Sequence, residues 1–166
     1  MATATRLAAE ALRLLPRKRL SRAVGKLAAV EGPTDVVERA IATFVRAYDV
    51  DMHDSVVPAG GYTSFNDFFT RKLVPGARPV DPNPRVLVSP ADGLVEDLGP
   101  IDLAATVTVK GKLYAVGDLL GDDDAAKRYE GGSYFIVYLH PRDYHRVHAP
   151  VEGRIRAMRY VPGTRS

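Results

Sequence analysis

Apolar positions recur along this chain with two different periods, and the change of period divides it. Val37, Ile41, Phe44 and Tyr48 fall at spacings of 4, 3 and 4, which is one stripe of a 3.6-residue helix. The spacing predicts an amphipathic helix over residues 36–48, begun after the Gly32-Pro33 break and capped by Asp35, with Glu38 reaching back. Upstream, residues 6–15 are good helix formers stopped by Pro16. Residues 17–30 then set Leu20, Val24 and Leu27 on a second stripe. Downstream, Ser64 predicts the cap of a short helix with Phe65, Phe68 and Phe69 on one side, closed by Arg71 and Lys72 at its negative end. Burial is the expected fate of those rings.

After the proline-rich connector from Pro75 to Pro84, helical patterning stops and short strands are predicted instead: Val86–Val88, Leu94–Leu98, Thr106–Lys110, Tyr134–Leu139, Val147 and Arg154–Tyr160. Gly121 to Asp124 reads as a loop before a short helix through Tyr129. Two segments echo each other: Pro90-Ala91-Asp92-Gly93-Leu94-Val95 and Pro150-Val151-Glu152-Gly153-Arg154-Ile155. Each has proline, an acid, glycine and a branched aliphatic at matching places. Paired acid-glycine turns leading into strands suggest a β-sandwich or barrel built from two related halves. The expected fold class is α+β, with N-terminal helices followed by a mainly antiparallel β-sandwich or barrel-like domain. The expected divisions are a basic amphipathic arm over 1–31, a helical region over 32–74 and a β-rich portion over 75–166.

Charge sharpens the reading of the arm. Residues 1–30 hold seven cations against Glu10 alone, a balance of +6, so the rest of the chain carries −3 of the +3 total. A basic helix with one apolar stripe suits an anionic membrane surface; an ordinary solvated helix on its own domain is the plain alternative. An arginine-rich transit peptide is a third reading. Nucleic acid is not an expected partner, because basic residues there usually interleave with aromatics and the first aromatic is Phe44. No apolar run approaches the ~20 residues that span a bilayer. With no cysteine, the chain has no disulfide, thiol nucleophile or cysteine metal site.

The densest chemistry lies between Tyr138 and Gly153, where His140, His145 and His148 stand among Arg142, Asp143, Arg146 and Glu152. Three histidines admit a zinc reading, and Asp49 to Asp54, with His53, admits a cation reading. Neither has a ligand spacing that supports it, and a solvated turn is the simpler account of 49–54. Asp92 in its Pro-Ala-Asp-Gly turn could bond its own backbone. Residues three apart on an extended segment face opposite ways, so His145 and His148 need a bend between them to share one pocket.

Seven segments in order carry a resemblance: residues 20–28 (Leu-Ser-Arg-Ala-Val-Gly-Lys-Leu-Ala), Tyr48 to Met52, Phe65 to Leu73, Pro75 to Pro79, Ser89 to Gly93, Lys110-Gly111 with Tyr114 and Leu119-Leu120, and Pro141 to His148. From about Leu20 onward the chain resembles phosphatidylserine decarboxylase, a pyruvoyl-dependent enzyme that makes phosphatidylethanolamine. The resemblance implies a proenzyme that cuts itself at a Leu-Gly-Ser-Thr motif. The serine becomes the pyruvoyl cofactor of a new small chain, and its ketone serves as the electron sink for loss of CO2. It implies Asp92 as the carboxylate that orients a base, His148 as that base, and His145 as a proton handler in decarboxylation. His140 takes no role, since the family often has serine or alanine there. Arg142 and Arg146 could meet the lipid phosphate or carboxylate, or pair with Asp143 and Glu152.

These 166 residues contain no Leu-Gly-Ser-Thr, and Gly132-Ser133, their one Gly-Ser pair, lies upstream of the histidines, where it opens a strand. The expectation is therefore an N-terminal part of a proenzyme, with its β domain incomplete at the C-terminus and inactive unless a small pyruvoyl-bearing chain is supplied. Exposed strand edges and low stability in isolation are expected with it. The expected partners are phosphatidylserine and an anionic membrane, on the cytoplasmic face of the cell membrane or, alternatively, on the mitochondrial inner membrane. An inactive lipid-binding fragment is the alternative function. A barrel-sandwich carrier is a further one, with Lys110-Gly111-Lys112 as its only modifiable hairpin.

Overall fold

The computed structural model describes residues 17–109 and 111–161. Two compact units divide at Arg78 and Pro79. The helix expected over 6–15, the start of the arm and Lys110 of the carrier candidate lie outside the described residues. The class is α+β, with helices in the first unit and antiparallel strands in the second.

In the first unit α1 spans Arg17–Ala28, α2 Thr34–Tyr48 and α3 Phe65–Phe69. Val24 and Leu27 of α1 are exposed, and the side chain of Leu20 lies outside the described residues. Helix α2 buries Val37 and Ile41 as its periodicity requires. Its start differs from the expected capping box. Pro33 is the cap residue, without a side-chain bond, and Asp35 lies inside the first turn. The proline, at φ −53°, already suits entry into the helix. The Asp35 carboxylate in the first turn instead faces the positive end of the dipole and lies 3.8 Å from the Arg39 guanidinium. The helix ends at Asp49 in the left-handed region, with its N–H bonded to the Val45 carbonyl.

Helix α3 begins as expected, with Ser64 Oγ accepting the Asp67 N–H at 3.1 Å. Its rings converge on α2. Phe68 is fully buried and meets Phe44, Tyr62 and Phe65 edge-on with centroids 5.6–5.9 Å apart. Arg71 does not close the helix as a surface cation. Thr70 is the C-cap, and Arg71 turns inward, 4% exposed, with its guanidinium 5.4 Å from the Phe68 ring centre and Nε donating to Ser55 Oγ at 3.0 Å. A desolvated cation over a ring face and a long apolar stem favour that position.

In the second unit β1 (Leu94–Pro100) pairs antiparallel with β4 (Ser133–Tyr138), from Leu94 opposite Tyr138 to Pro100 opposite Ser133, with a bulge between Val95 and Asp97. Ser133 opens its strand as expected. A hairpin joins β2 (Thr106–Val109) to β3 (Lys112–Ala115). Then follow α4 (Val116–Leu120), α5 (Asp123–Ala126) and a 3-10 turn, Lys127–Tyr129. Ile101, Ala105, Val107, Val116 and Ala126 form the core. Neither two-stranded sheet closes into a barrel.

Residues 86–88, 147 and 154–160 do not form the expected strands. The first two come close. Val88 donates to the Pro150 carbonyl at 3.1 Å, and His148 donates to the Pro90 carbonyl at 2.7 Å. These pairs have antiparallel register, in which a hydrogen-bonded pair normally exchanges two bonds. The return donors would be the N–H groups of Pro150 and Pro90, which proline lacks. A seam of single bonds results, where alternation alone predicted a ladder. Residues 154–160 alternate only as far as Ala157 and find no strand beside them among the described residues, and Ile155 and Met158 are exposed.

Candidate active site

The prolines of the two echoed segments bracket the site. Because His148 and Val88 supply the bonds across the seam, the turn carrying Asp92 is tied to the segment carrying His145 and His148. Asp92, half-buried, follows Pro90 by two residues. Gly93 allows this turn to lie against β4: a Cβ there would stand 2.4 Å from the Tyr138 carbonyl oxygen and 2.8 Å from Val137 Cγ1.

His148 lies at the surface, and its Nε2 is 2.9 Å from the hydroxyl of Tyr144. The two rings stack, with centroids 5.6 Å apart and planes 19° from parallel. Four residues of extended chain span about 13 Å, so the segment curves to bring these rings together. Tyr144 is buried and anchors the curve. His145 points elsewhere, with Nδ1 2.9 Å from the Asp143 carbonyl oxygen. A carbonyl only accepts, so this bond places the proton on Nδ1 and makes Nε2 the basic nitrogen. The bend between the two histidines therefore gives each its own partner.

His140 and Asp143 close a turn. The His140 N–H donates to Asp143 Oδ2 at 2.7 Å, and the Asp143 N–H donates to the His140 carbonyl at 2.8 Å. Beside the seam, residues 80–84, Val86, Val88 and residues 149–154 border an open groove of about 1000 Å³, walled by valines and prolines, with Asp81, Glu152 and Arg154 as its charged groups.

The three histidine rings are engaged separately, and among the described residues no group of three or more His, Cys, Asp or Glu side chains is placed to hold a metal ion. The acidic stretch near His53 is a bonded turn. Asp51 accepts the His53 N–H at 2.8 Å, and Asp54 takes the His53 ring at 3.1 Å and Arg78 at 3.1 Å. The hydrogen bond from His53, then that from Arg78, holds the Asp54 carboxyl below its usual range.

The family model described as phosphatidylserine decarboxylase matches residues 65–165, covering the connector, the seam and all three histidines. The chain belongs to the phosphatidylserine decarboxylase family. Curated relatives are named "Phosphatidylserine decarboxylase proenzyme". One from a Shewanella species is 46% identical over 152 residues, which is 90% of this chain and 52% of the relative. One from Myxococcus xanthus is 43% identical over 92% of this chain and 54% of its own length. One from an Anaeromyxobacter species is 44% identical over 158 residues, 95% of this chain and 56% of the relative. The chain thus spans about half the length of the curated relatives it matches.

Membership in the phosphatidylserine decarboxylase family gives the echoed prolines and the His-Arg-Val-His run a shared setting. Sequence reasoning missed one residue there. Tyr144 precedes both histidines and forms part of the quoted motif, but nothing in the spacing marks its hydroxyl as the partner of His148. Its burial against an exposed histidine is visible only in the structure.

Proposed function

We propose that this chain supplies the relay and proton-handling residues of a pyruvoyl-dependent decarboxylase that converts phosphatidylserine to phosphatidylethanolamine. The observation that carries the reading is the seam, which ties His148 to the turn of Asp92 in a member of this family. Asp92 orients the imidazole of His148, and His148 takes the proton of a serine hydroxyl during self-cleavage. His145, with Nε2 as its basic nitrogen, moves a proton at the substrate carbon that loses CO2. The pyruvoyl group, when present, supplies the electron sink for that loss. The residues fit a serine-derived group: a hydroxyl, that of Tyr144, already sits at hydrogen-bond distance from His148 Nε2.

In this reading the serine comes from a Leu-Gly-Ser-Thr segment outside these 166 residues, which leaves the small pyruvoyl-bearing chain after cleavage. Leu94, Leu98 and Phe135 expose apolar surface on the β1–β4 sheet. The remainder of a family-length chain would cover it and complete a β-sandwich or barrel. The basic arm docks on anionic lipid at the cytoplasmic face of the cell membrane. Its support is a helix whose Val24 and Leu27 are exposed beside Arg22 and Lys26. No helix among the described residues is long and apolar enough to cross a membrane.

The test joins this chain to the C-terminal half of the Myxococcus xanthus relative and presents phosphatidylserine vesicles. Two fragments and phosphatidylethanolamine are expected. His148→Ala and Asp92→Ala should leave the fusion uncut, while His145→Ala should cut normally and form no product. Cleavage that survives His148→Ala removes the assignment of the base. Deleting residues 1–30 should abolish vesicle binding, and salt should weaken it, because that attraction is screened over about 8 Å at physiological ionic strength. Unchanged binding after the deletion leaves the arm without its role.

A further inference from the structure

We infer that Tyr144 is the positioning residue that keeps His148 ready to act as a base, a proposal that rests on the assignment of His148 as the base of self-cleavage. A general base must offer a lone pair at the nitrogen that meets its substrate and carry its own proton on the other. A neutral imidazole is free to place its proton on either nitrogen, and the group bonded to one nitrogen sets the answer for both. His148 is exposed, so water alone would leave both tautomers populated and the ring free to turn about its side-chain torsions. Two contacts from one residue remove that freedom.

The first is the stack. Tyr144 is buried while His148 is not, and their planes lie 19° apart with centroids separated by 5.6 Å. The buried ring is thus a fixed platform that sets the plane of the mobile one. The second is the hydroxyl, 2.9 Å from Nε2. A phenolic hydroxyl can donate as well as accept, and here we assign it as the donor to Nε2. Donation to Nε2 keeps a lone pair on that nitrogen and the proton on Nδ1, where a carboxylate such as Asp92 can hold it. The backbone strengthens the arrangement. The His148 N–H is tied to Pro90 at 2.7 Å, so main chain and ring are both restrained.

Nε2 has one lone pair, so it accepts one strong bond at a time. A serine hydroxyl arriving at this nitrogen must replace that of Tyr144. The tyrosine therefore acts before the serine is seated, by holding the nitrogen in the accepting state the serine needs. No bond is made or broken by Tyr144, and the proton of its hydroxyl stays with it.

The test has a readout on the 166-residue chain itself. Nitrogen-15 correlation spectra of the histidine rings distinguish the protonated from the accepting nitrogen. His148 should show its proton on Nδ1, and Tyr144→Phe, which keeps the ring and its stack, should shift population toward the Nε2-protonated form. Tyr144→Leu, which removes the stack as well, should do so at least as strongly. In the fusion that self-cleaves, Tyr144→Phe should cut roughly tenfold more slowly and with an altered pH profile.

A wild-type His148 protonated on Nε2, or an unchanged tautomer in Tyr144→Phe, overturns the inference. So does a Tyr144→Phe fusion that cuts as fast as wild type or faster, which would make the tyrosine a competitor of the serine. His148→Ala separates the two ideas. If it blocks cleavage while Tyr144→Phe changes nothing, the base stands and the positioning role falls. If it leaves cleavage intact, the base assignment falls and takes this inference with it.

Discussion

The two units of this chain use the same kinds of apolar residue to different ends. In the first, the rings on α2 and α3 face one another and Phe68 is fully buried. Even a cation, Arg71, is drawn into that cluster. In the second, a small core gathers around Ile101 and Val116, while Leu98 and Phe135 stay 70% and 54% exposed on the β1–β4 sheet. Helices satisfy their own backbone and need only a partner for one stripe, so a unit of about 60 described residues can complete its packing locally. A two-stranded ribbon has two edges and two faces, and isolated ribbons are marginal without further cover. The first unit closes a core around Phe68, while the second leaves apolar side chains of its sheet uncovered.

The largest effect that would break this contrast is at Phe68. Phe68→Ala removes a fully buried ring from contact with Phe44, Tyr62 and Phe65, and should destabilise the first unit by about 3–5 kcal/mol. Denaturant unfolding followed by the helical circular-dichroism signal is the measurement. A loss comparable to that of Phe135→Ala in the second unit would show that the two packings do not differ.

Gly93 comes next. Gly93→Ala puts a carbon against the carbonyl of Tyr138 and the side chain of Val137 at distances no relaxed contact allows. One of these is backbone in a paired strand, so the turn of Asp92 must move instead. The stability cost should be about 1–3 kcal/mol. The fusion should also lose self-cleavage beyond what that cost explains, because the displaced turn carries Asp92 away from its place. Full cleavage with only a stability loss would mean the turn has no catalytic duty.

How much of this was readable in the sequence follows from the range of the forces involved. The α2 stripe and the Ser64 cap are local, set by residues within four positions of each other, and both were legible. Asp35 was misread as a cap because Pro33 had already fixed the helix start two residues earlier. Arg71 was misplaced because its position depends on Phe68 and Ser55, the latter sixteen residues away. The echo of Pro90 and Pro150 pointed to two segments meeting. The missing N–H of each proline, also visible in the sequence, should have warned that they would meet without forming a ladder. The β3 strand was overlooked because Lys112 to Ala115 is short and exposed throughout, so burial leaves no pattern to read. The partner of His148 depends on how the segment curves between Tyr144 and His148, which alternation cannot give.

The smallest effect concerns the way residues 154–161 are held despite forming no strand. Arg159 Nη1 bonds Asp122 Oδ2 at 2.8 Å and the Gly121 carbonyl at 2.9 Å, while Asp122 Oδ1 accepts the Ala125 N–H that opens α5. The Ala125 N–H first, and then Arg159, hold the Asp122 carboxyl below its ordinary value of 3.8. A carboxyl lowered on folding stabilises the folded state fully above its unfolded value and loses that contribution as pH falls through the lower folded value. The tether should therefore be intact at neutral pH and weaken only below about pH 4. Asp122→Asn keeps an acceptor for Ala125 and removes the charge. The protection of the Ala125 amide, taken relative to its intrinsic exchange rate at each pH, should fall in the wild type as acid is added and stay constant in Asp122→Asn. An equal acid response in both would assign the tether to the Gly121 carbonyl and leave the ion pair without effect. The carboxylate is half-buried and bonds only α5 and Arg159, so the change should be confined to α5 and the segment around Arg159, in contrast to the loss at Phe68, which should spread through the whole first unit.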